Sequence, residues 1–570
     1  MAKRKQKRKK VKLSPAERLA QKIKRDHFRE VRKIFESTGF ARASKIVGRE
    51  FSYAGSTSDF DEVFLRDNIL VLIELTTLRD GISEHLKKKN YLYEKIQENT
   101  SAFITFLDNE FPEFRKLRAT KYRPEHFQIS IVYASLNNVE RTWKDDVPNV
   151  VYLDLPFVKY LCRITSLIKL SARFELFKFL NIEYDKIGEH IFSSALDEQS
   201  YKGSILPETQ SHFGAGYKVV SFYVDPEALI ERCYVLRKDG WREESNLYQR
   251  MIQKNKIESI RNYLRTENRV FINNIIVTLP NSTKLNDYEG SPIRLQQLTK
   301  TEPVQIELPK EYNSVGLIDG QHRVFSYYEG GQYEDEISVL RKQQNLLVTG
   351  IVYPSHLTSI EKTQFEAKLF LEINSTQTNP KSDLKQIVES LLRPFSPESI
   401  ARKVVNRLNT SGALAGQFEI YFFDKKKLKT TSVVSYGVRQ IIKLQGSDSL
   451  FKAWKHAQKA DLEAGDNENL LAEYVNFCAS EISKFISAVK ANVPPERWTT
   501  DTKIRGRMLT TTHVNGFIVC LRKIIENDRL HAFDYYREKL SEVQTFSFSS
   551  YRSSHYGAMG EAMFKKYFEK

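Results

Sequence analysis

The chain has 570 residues, more than one hydrophobic core organises, so two to four domains are expected. Apolar residues make up 41% and aromatic residues 12% of it, a composition that suits packed domains and excludes a wholly disordered chain. The net charge is +17, and eight of the first twelve residues are Lys or Arg. This basic arm either binds a polyanion such as nucleic acid or is a solvated terminus.

Several classes of protein are excluded by what the sequence lacks. No apolar run reaches the roughly 18 residues of a membrane span, and no apolar region follows the basic start, so a cytoplasmic protein that contacts no membrane is expected. The four cysteines form no CxxC pair and the 11 histidines no HExxH motif, which leaves oxygen ligands for any metal. A GxxxxGK[ST] loop is also absent, which disfavours a P-loop ATPase.

The first third of the chain has the periodicity of an α/β domain with a mixed sheet. Its first helix starts at the capping box Ser14-Pro15-Ala16-Glu17, which carries Pro at the first helical position, and is expected to end near residue 36. The pattern then predicts strands at 60–65, 69–76, 127–134 and 150–153, and helices at 81–99 and 171–180.

The rest of the chain changes from mixed to helical periodicity. Polar residues at 197–216 are interpreted as a connection between domains. Beyond it the pattern predicts strands at 218–224, 274–279, 315–318 and 347–353, and helices at 245–265, 324–329, 359–373 and 383–392. After residue 396 the periodicity is mainly helical.

The strands at 60–65 and 69–76 predict a hairpin with a defined register. If Asp67-Asn68 forms a two-residue turn, Arg66 pairs with Ile69. Asp61 then stands opposite Glu74, on one face of the hairpin. A slip of one residue would separate these two carboxylates and remove the site.

Asp61 and Glu74 are candidate metal ligands. Two carboxylates facing each other across strands repel unless a cation lies between them, and Glu74 is embedded in an apolar strand. Mg²⁺ or Mn²⁺ would supply that cation and would suit a metal-dependent nuclease. The alternative is that both acids are solubility residues of an edge strand.

The pattern Asp61…Glu74-Leu75-Thr76 resembles the PD-(D/E)xK motif of restriction endonucleases. The resemblance implies a nuclease-like fold in which Asp61, Glu74 and the residue at Thr76 are catalytic. Thr76 stands where the motif has Lys, so Lys87, Lys88 or Lys89 on the next helix is a candidate to supply the missing cation, and Lys87 is the residue assigned here. Alternatively the domain has lost cleavage and only binds DNA.

A second candidate site is the DGQHR turn, defined as Asp319, Gly320, Gln321, His322 and Arg323. A strand, a glycine turn and a helix start place free backbone N–H groups together, which suits an anion. Arg323 suits phosphate, Asp319 suits a divalent cation or a helix cap, and the remaining polar side chains suit a nucleotide or a water. An ordinary strand–turn–helix junction is the alternative.

The stretch 316–330 resembles the signature of the DGQHR family, which includes the DNA-phosphorothioation protein DndB. Further agreement lies in the upstream stretches 248–250, 256–264 and 273–277 and the downstream stretch 370–377. The resemblance implies a ParB/sulfiredoxin-like fold that binds nucleotide phosphates, of ATP or another NTP, with Asp319 and His322 as reacting groups. It also implies that Asn374 and Gln377 face the same site.

The sequence thus predicts a multidomain α/β protein. Residues 1–25 form a basic tail and helix start, 26–196 a mixed-sheet restriction-endonuclease-like domain, 197–395 a ParB/sulfiredoxin-like α+β domain and 396–570 a mainly helical domain. The leading interpretation is a prokaryotic DNA-defence or DNA-modification protein with DNA, nucleotide and operon-encoded proteins as partners, whose oligomeric state stays open. A non-enzymatic DndB-like DNA-binding regulator and an NTPase subunit of a defence complex are the alternatives.

Overall fold

The structure is a computed structural model that describes residues 14–118, 120–192, 200–237, 240, 249–375, 382–465, 467–527 and 530–569. The basic arm and Gln377 lie outside the described residues. Contacts between Cα atoms divide the chain into two compact units, the first ending at Lys362 and the second containing Thr363–Lys570. The expectation of a multidomain α/β protein with mixed sheets is confirmed.

The first helix begins at the predicted capping box. The Glu17 amide donates to Ser14 Oγ at 3.2 Å, and the Ser14 amide donates to Glu17 Oε2 at 2.8 Å. Helix and sheet then alternate through the N-terminal segment (residues 26–196). Its elements are α1 (Pro15–Ser37), β1 (Ala41–Arg42), β2 (Phe51–Tyr53), β3 (Ser56–Ser58), β4 (Glu62–Arg66), β5 (Ile69–Thr76), α2 (Ile82–Glu98), α3 (Thr100–Glu110), α4 (Pro112–Leu117), β6 (Gln128–Ser135), α5 (Arg141–Asp146), β7 (Val151–Asp154), α6 (Leu155–Ile168) and α7 (Arg173–Phe179).

The first sheet has the order β1-β4-β5-β6-β7 and mixes both directions of pairing. β4 and β5 are antiparallel, whereas β5, β6 and β7 are parallel. All eight residues of β5 are buried, as expected for a central strand covered on both faces. The strand therefore holds Glu74 rigidly inside the protein.

The second sheet belongs to the DGQHR segment (residues 197–395) and has the order β10-β14-β11-β15-β9-β8-β13-β12. The strand at 218–224 matches its prediction residue for residue. The elements are β8 (Ser200–Leu206), α8 (Glu208–Ser211), β9 (Lys218–Val224), α9 (Pro226–Arg232), β10 (Cys233–Tyr234), α10 (Lys254–Glu267), β11 (Ile275–Leu279), β12 (Lys284–Asn286), β13 (Glu302–Glu307), β14 (Val315–Asp319), α11 (Gln321–Phe325), α12 (Glu334–Gln343), β15 (Leu346–Val352) and α13 (Ser359–Ser375).

Two predictions for this segment are wrong. The supposed connection at 197–216 contains β8, which pairs with both β9 and β13; Tyr201 and Ile205 are its buried residues. The helix expected at 324–329 is instead α11, which ends at Phe325. Arg261 donates to the Ser326 and Tyr328 carbonyls at 2.8 Å. These bonds satisfy carbonyls that have no intrahelical partner after the helix ends.

One hydrophobic cluster runs through both segments of the first unit. It contains Val31 of α1, Ile164 of α6, Val277 of β11 and Val315 of β14, all fully buried. The N-terminal segment and the part of the DGQHR segment that lies in the first unit therefore share one core, which fixes the geometry of the candidate sites within each.

The second unit is helical and has its own hydrophobic cluster. Its longest helix follows an Asn467 cap whose side chain accepts the Leu470 amide at 3.0 Å. The helices are α14 (Ser382–Leu392), α15 (Pro397–Thr410), α16 (Thr430–Val433), α17 (Arg439–Ile441), α18 (Leu450–Ala453), α19 (Lys459–Ala464), α20 (Glu468–Ala491), α21 (Thr511–Glu526), α22 (Phe533–Lys539) and α23 (Tyr556–Tyr567). No helix in the described part of the chain combines the length and the apolar character needed to cross a membrane.

Candidate functional site

The β4–β5 hairpin has the predicted register. Arg66 pairs with Ile69, and the pairing continues to Glu62 opposite Ile73. Asp61 lies one residue before β4, and its Oδ2 accepts the Leu75 amide of β5 at 2.8 Å. The hairpin thus brings Asp61 beside the end of β5, next to Glu74.

Lys89 of α2 supplies the cation at this site. Its Nζ lies 2.5 Å from Glu74 Oε1, 3.2 Å from the Asp59 carbonyl oxygen and 3.7 Å from Asp59 Oδ1. Only 3% of the Glu74 side chain and 16% of the Lys89 side chain are exposed, so this ion pair is largely removed from solvent. We call Asp61, Glu74 and Lys89 the carboxylate–lysine site.

The structure corrects the assignment of Lys87. Its Nζ lies 3.3 Å from Asp146 Oδ2, and its side chain is 62% exposed. Residues two apart on a helix do not share a face, so Lys87 and Lys89 cannot both point at Glu74. The buried residues of α2 include Ile82, Leu86 and Tyr93, which are four and seven positions apart. Position 89, three after Leu86 and four before Tyr93, therefore lies on the inward face. That spacing was the signal that could have selected Lys89.

Burial dominates the electrostatics of the carboxylate–lysine site. It raises the pKa of Glu74 from 4.5 to about 7, although Lys89 acts in the opposite direction. Burial likewise raises the pKa of Asp61, and the Leu75 amide lowers it. Burial lowers the pKa of His85, whose Nδ1 lies 3.1 Å from the Tyr133 hydroxyl. Near neutral pH the site therefore exchanges protons at Glu74.

Thr76 ends the strand instead of replacing the missing lysine. It is 5% exposed, and its Oγ1 accepts the Leu78 amide at 3.2 Å. A threonine hydroxyl that caps the chain reversal after a strand is a common local structure. The hydroxyl at this position thus bonds both the backbone and the Tyr133 side chain.

The donor set of the carboxylate–lysine site suits a hard divalent cation. Among the described residues no group of three or more His, Cys, Asp or Glu side chains is arranged to hold a metal. Mg²⁺ needs fewer protein ligands, because it is bound by one or two carboxylates together with waters and substrate phosphates. Asp61 and Glu74 supply those two carboxylates, and Glu74 is at the same time paired with Lys89.

The DGQHR turn has the predicted strand–glycine–helix form. Gly320 has φ of +102°, and a Cβ there would lie 2.5 Å from Ile275 Cδ1, so only glycine fits. The helix that follows, α11, has just five residues. Because so short a helix carries a weak dipole, the turn depends on side chains for any affinity for anions.

The side chains of the DGQHR turn contact one another and the neighbouring backbone. Arg323 Nη2 donates to Asp319 Oδ2 at 2.9 Å. Gln321 Nε2 donates to the Arg250 carbonyl at 3.2 Å, and His322 Nε2 accepts the Gln253 amide at 3.1 Å. The predicted phosphate-binding groups thus fasten the turn to the chain just before α10.

His322 is unsuited to acid catalysis in this position. Burial, with Lys256 and Arg237 nearby, lowers its pKa to about 4, so the ring is neutral at pH 7. Because Nε2 accepts the Gln253 amide, the proton of the neutral ring is on Nδ1.

Arg237 is a site residue that the sequence did not reveal. Its side chain is 1% exposed, and its guanidinium donates to Glu175 Oε2 at 3.1 Å, the Tyr160 hydroxyl at 3.2 Å and Gln321 Oε1 at 3.4 Å. It joins the DGQHR turn to the N-terminal segment. These partners are far apart in sequence, so no local pattern indicates them.

Asn374 belongs to the second unit, whereas the DGQHR turn belongs to the first. Its Nδ2 donates to the Phe370 carbonyl at 2.9 Å, one turn earlier in α13. This is the contact of an ordinary residue near a helix end. Its assignment to the nucleotide site stays a prediction.

Comparisons with known proteins returned nothing: no family model, no curated protein and no solved structure matches the chain.

Proposed function

We propose that the chain is a DNA-defence or DNA-modification protein whose N-terminal segment hydrolyses DNA phosphodiesters with the help of Mg²⁺ or Mn²⁺, coupled to a nucleotide-binding DGQHR segment. The observation that carries the proposal is the carboxylate–lysine site, in which the β4–β5 hairpin holds Asp61 beside the end of β5 and Lys89 of α2 pairs with Glu74. Two acids and a lysine are the side chains that metal-dependent nucleases use.

Each residue of the site has a role in such a reaction. Asp61 and Glu74 would hold the metal, which supplies charge stabilisation at the scissile phosphate and an activated water. Lys89 favours the ionised form of Glu74, since its ammonium lowers the pKa of that carboxyl against the larger effect of burial. It also leaves a positive charge beside the carboxylates, where the transition state becomes more negative.

The test is cleavage of plasmid DNA in Mg²⁺ or Mn²⁺, with and without each nucleotide. The variants are Glu74→Gln and Lys89→Met, and Lys87→Met is the matched control because Lys87 lies on the outward face of the same helix. Loss of cleavage in the first two variants with retention in the third supports the proposal. Equal cleavage by wild type and Glu74→Gln contradicts it.

A DNA-binding regulator without enzymatic activity is a second candidate. One observation favours it: Lys89 already compensates the charge of Glu74, so the buried acid is stable without a metal. Retardation of DNA in a gel, with no cleavage in either metal, would support this candidate.

A further inference from the structure

A cavity of about 320 Å³ lies in the first unit. It forms where the end of α6 meets the start of α10 and the loop at 328–332. Ligand pockets in proteins begin at roughly 300 Å³, so this cavity is large enough for a small molecule. Both segments of the first unit contribute to its wall.

The wall combines two ammonium groups with apolar surface. Lys169, Lys254 and Glu258 line the cavity, together with Ile257 and Tyr328, whose side chains are nearly fully buried. Lys254 Nζ lies 3.4 Å from Glu258 Oε1, and the Lys254 side chain is 72% exposed. Lys169 is also exposed. Lysines above an apolar floor suit an anion that carries a flat apolar group.

The backbone of Lys169 adopts a conformation that is unusual for a lysine. Its φ is 47° and its ψ is −124°. This is the first central position of a type II′ turn, where glycine is dominant because it has no Cβ. A lysine here strains the chain, and strained residues persist where the surrounding structure or a function requires them.

The DGQHR turn positions the second lysine. The amide of Gln253, the residue before Lys254, donates to His322 Nε2. Arg261 of the same helix bonds the Ser326 and Tyr328 carbonyls, which fixes the loop on the other side of the cavity. The signature residues therefore shape this cavity while their own polar groups are occupied.

We propose that this cavity is the nucleotide site, with phosphates on Lys169 and Lys254 and the base against Ile257 and Tyr328. His322 is then a positioning residue. The proposal rests on the nucleotide-binding half of the proposed function and moves the site from the DGQHR turn to this cavity.

The test is calorimetric titration of the full chain with ATP, GTP, CTP and UTP in EDTA without DNA, and with adenosine and guanosine as ligands that lack phosphate. At least one triphosphate should bind with saturation of one site. The Lys169→Gly variant should bind that triphosphate with an affinity lowered about tenfold or more. Lys426→Gly is the matched control, since Lys426 is also a lysine at positive φ (58°) but does not line the cavity. The affinity of the Lys426→Gly variant for the triphosphate should stay within about twofold of wild type.

Several results would overturn the proposal: no binding of any triphosphate, wild-type affinity in Lys169→Gly, or equal affinity for the nucleoside and its triphosphate. If Lys169→Gly has a lower melting temperature than wild type, the affinity of Lys254→Met for the triphosphate is the deciding measurement. An unchanged affinity in that variant overturns the proposal. Glu74→Gln should bind nucleotide like wild type. The titration therefore tests nucleotide binding in the cavity, whereas only the cleavage assay tests the nuclease site.

Discussion

Replacing Glu74 by glutamine should remove a pH-dependent loss of stability. Burial raises the pKa of Glu74 from 4.5 to about 7, so the folded protein binds this proton more tightly than the unfolded chain. The stabilisation is fully present below pH 4.5 and is lost as pH rises through about 7. At roughly 1.4 kcal/mol per tenfold change in proton affinity, the total is about 3 kcal/mol, of which about 2.5 kcal/mol falls between pH 5 and 8.

The measurement is urea unfolding of wild type and Glu74→Gln between pH 5 and pH 8, because the difference between them cancels the other titrating groups. As pH rises from 5 to 8, the free energy of unfolding of the variant minus that of wild type should increase by about 2.5 kcal/mol. Glu98→Gln is the control, since that carboxylate pairs with Lys95 on the surface and its side chain is 58% exposed. Mg²⁺ at pH 8 should stabilise wild type more than the variant. Parallel pH profiles for wild type and Glu74→Gln would refute the reasoning.

Three further predictions follow from the same geometry. Lys89→Met should slow plasmid cleavage in Mg²⁺ about a hundredfold, whereas Lys87→Met should keep its initial rate within about twofold; equal losses would refute the assignment. Gly320→Ala should lower the free energy of unfolding by more than about 1 kcal/mol, because φ is +102° and the new methyl group meets an isoleucine of β11; an unchanged urea midpoint would contradict this. Lys169→Gly should raise the free energy of unfolding by about 1–3 kcal/mol through relief of backbone strain, and a lower melting temperature would argue against that strain.

The hairpin and its carboxylates were predictable because local rules determine them. A two-residue turn fixes Arg66 opposite Ile69, and the alternation of side chains then determines which acids share a face. The identity of the lysine needed one more step, the helical phase of α2 set by Ile82 and Leu86.

The parts that the sequence did not predict depend on distant partners. The sequence of β8 has the pattern of a polar loop because only Tyr201 and Ile205 of this strand are buried. It forms a strand by pairing with β9 and β13. The backbone that follows α11 is held by Arg261, which is 65 residues away from Ser326 in the chain. Tertiary contacts of this kind override local preference.

The contacts of the DGQHR turn change how variants of it are to be interpreted. Arg323→Ala would leave Asp319 without its partner, and loss of Gln321 would take a hydrogen bond from the buried guanidinium of Arg237. Both variants remove contacts that hold the turn in place, so they change its structure whatever the turn binds. Loss of nucleotide binding in Arg323→Ala therefore cannot distinguish a phosphate contact from a displaced α10. Lys169→Gly can, because it removes an ammonium while relaxing the backbone, so lost binding with a gain in stability has only the ligand contact as its cause.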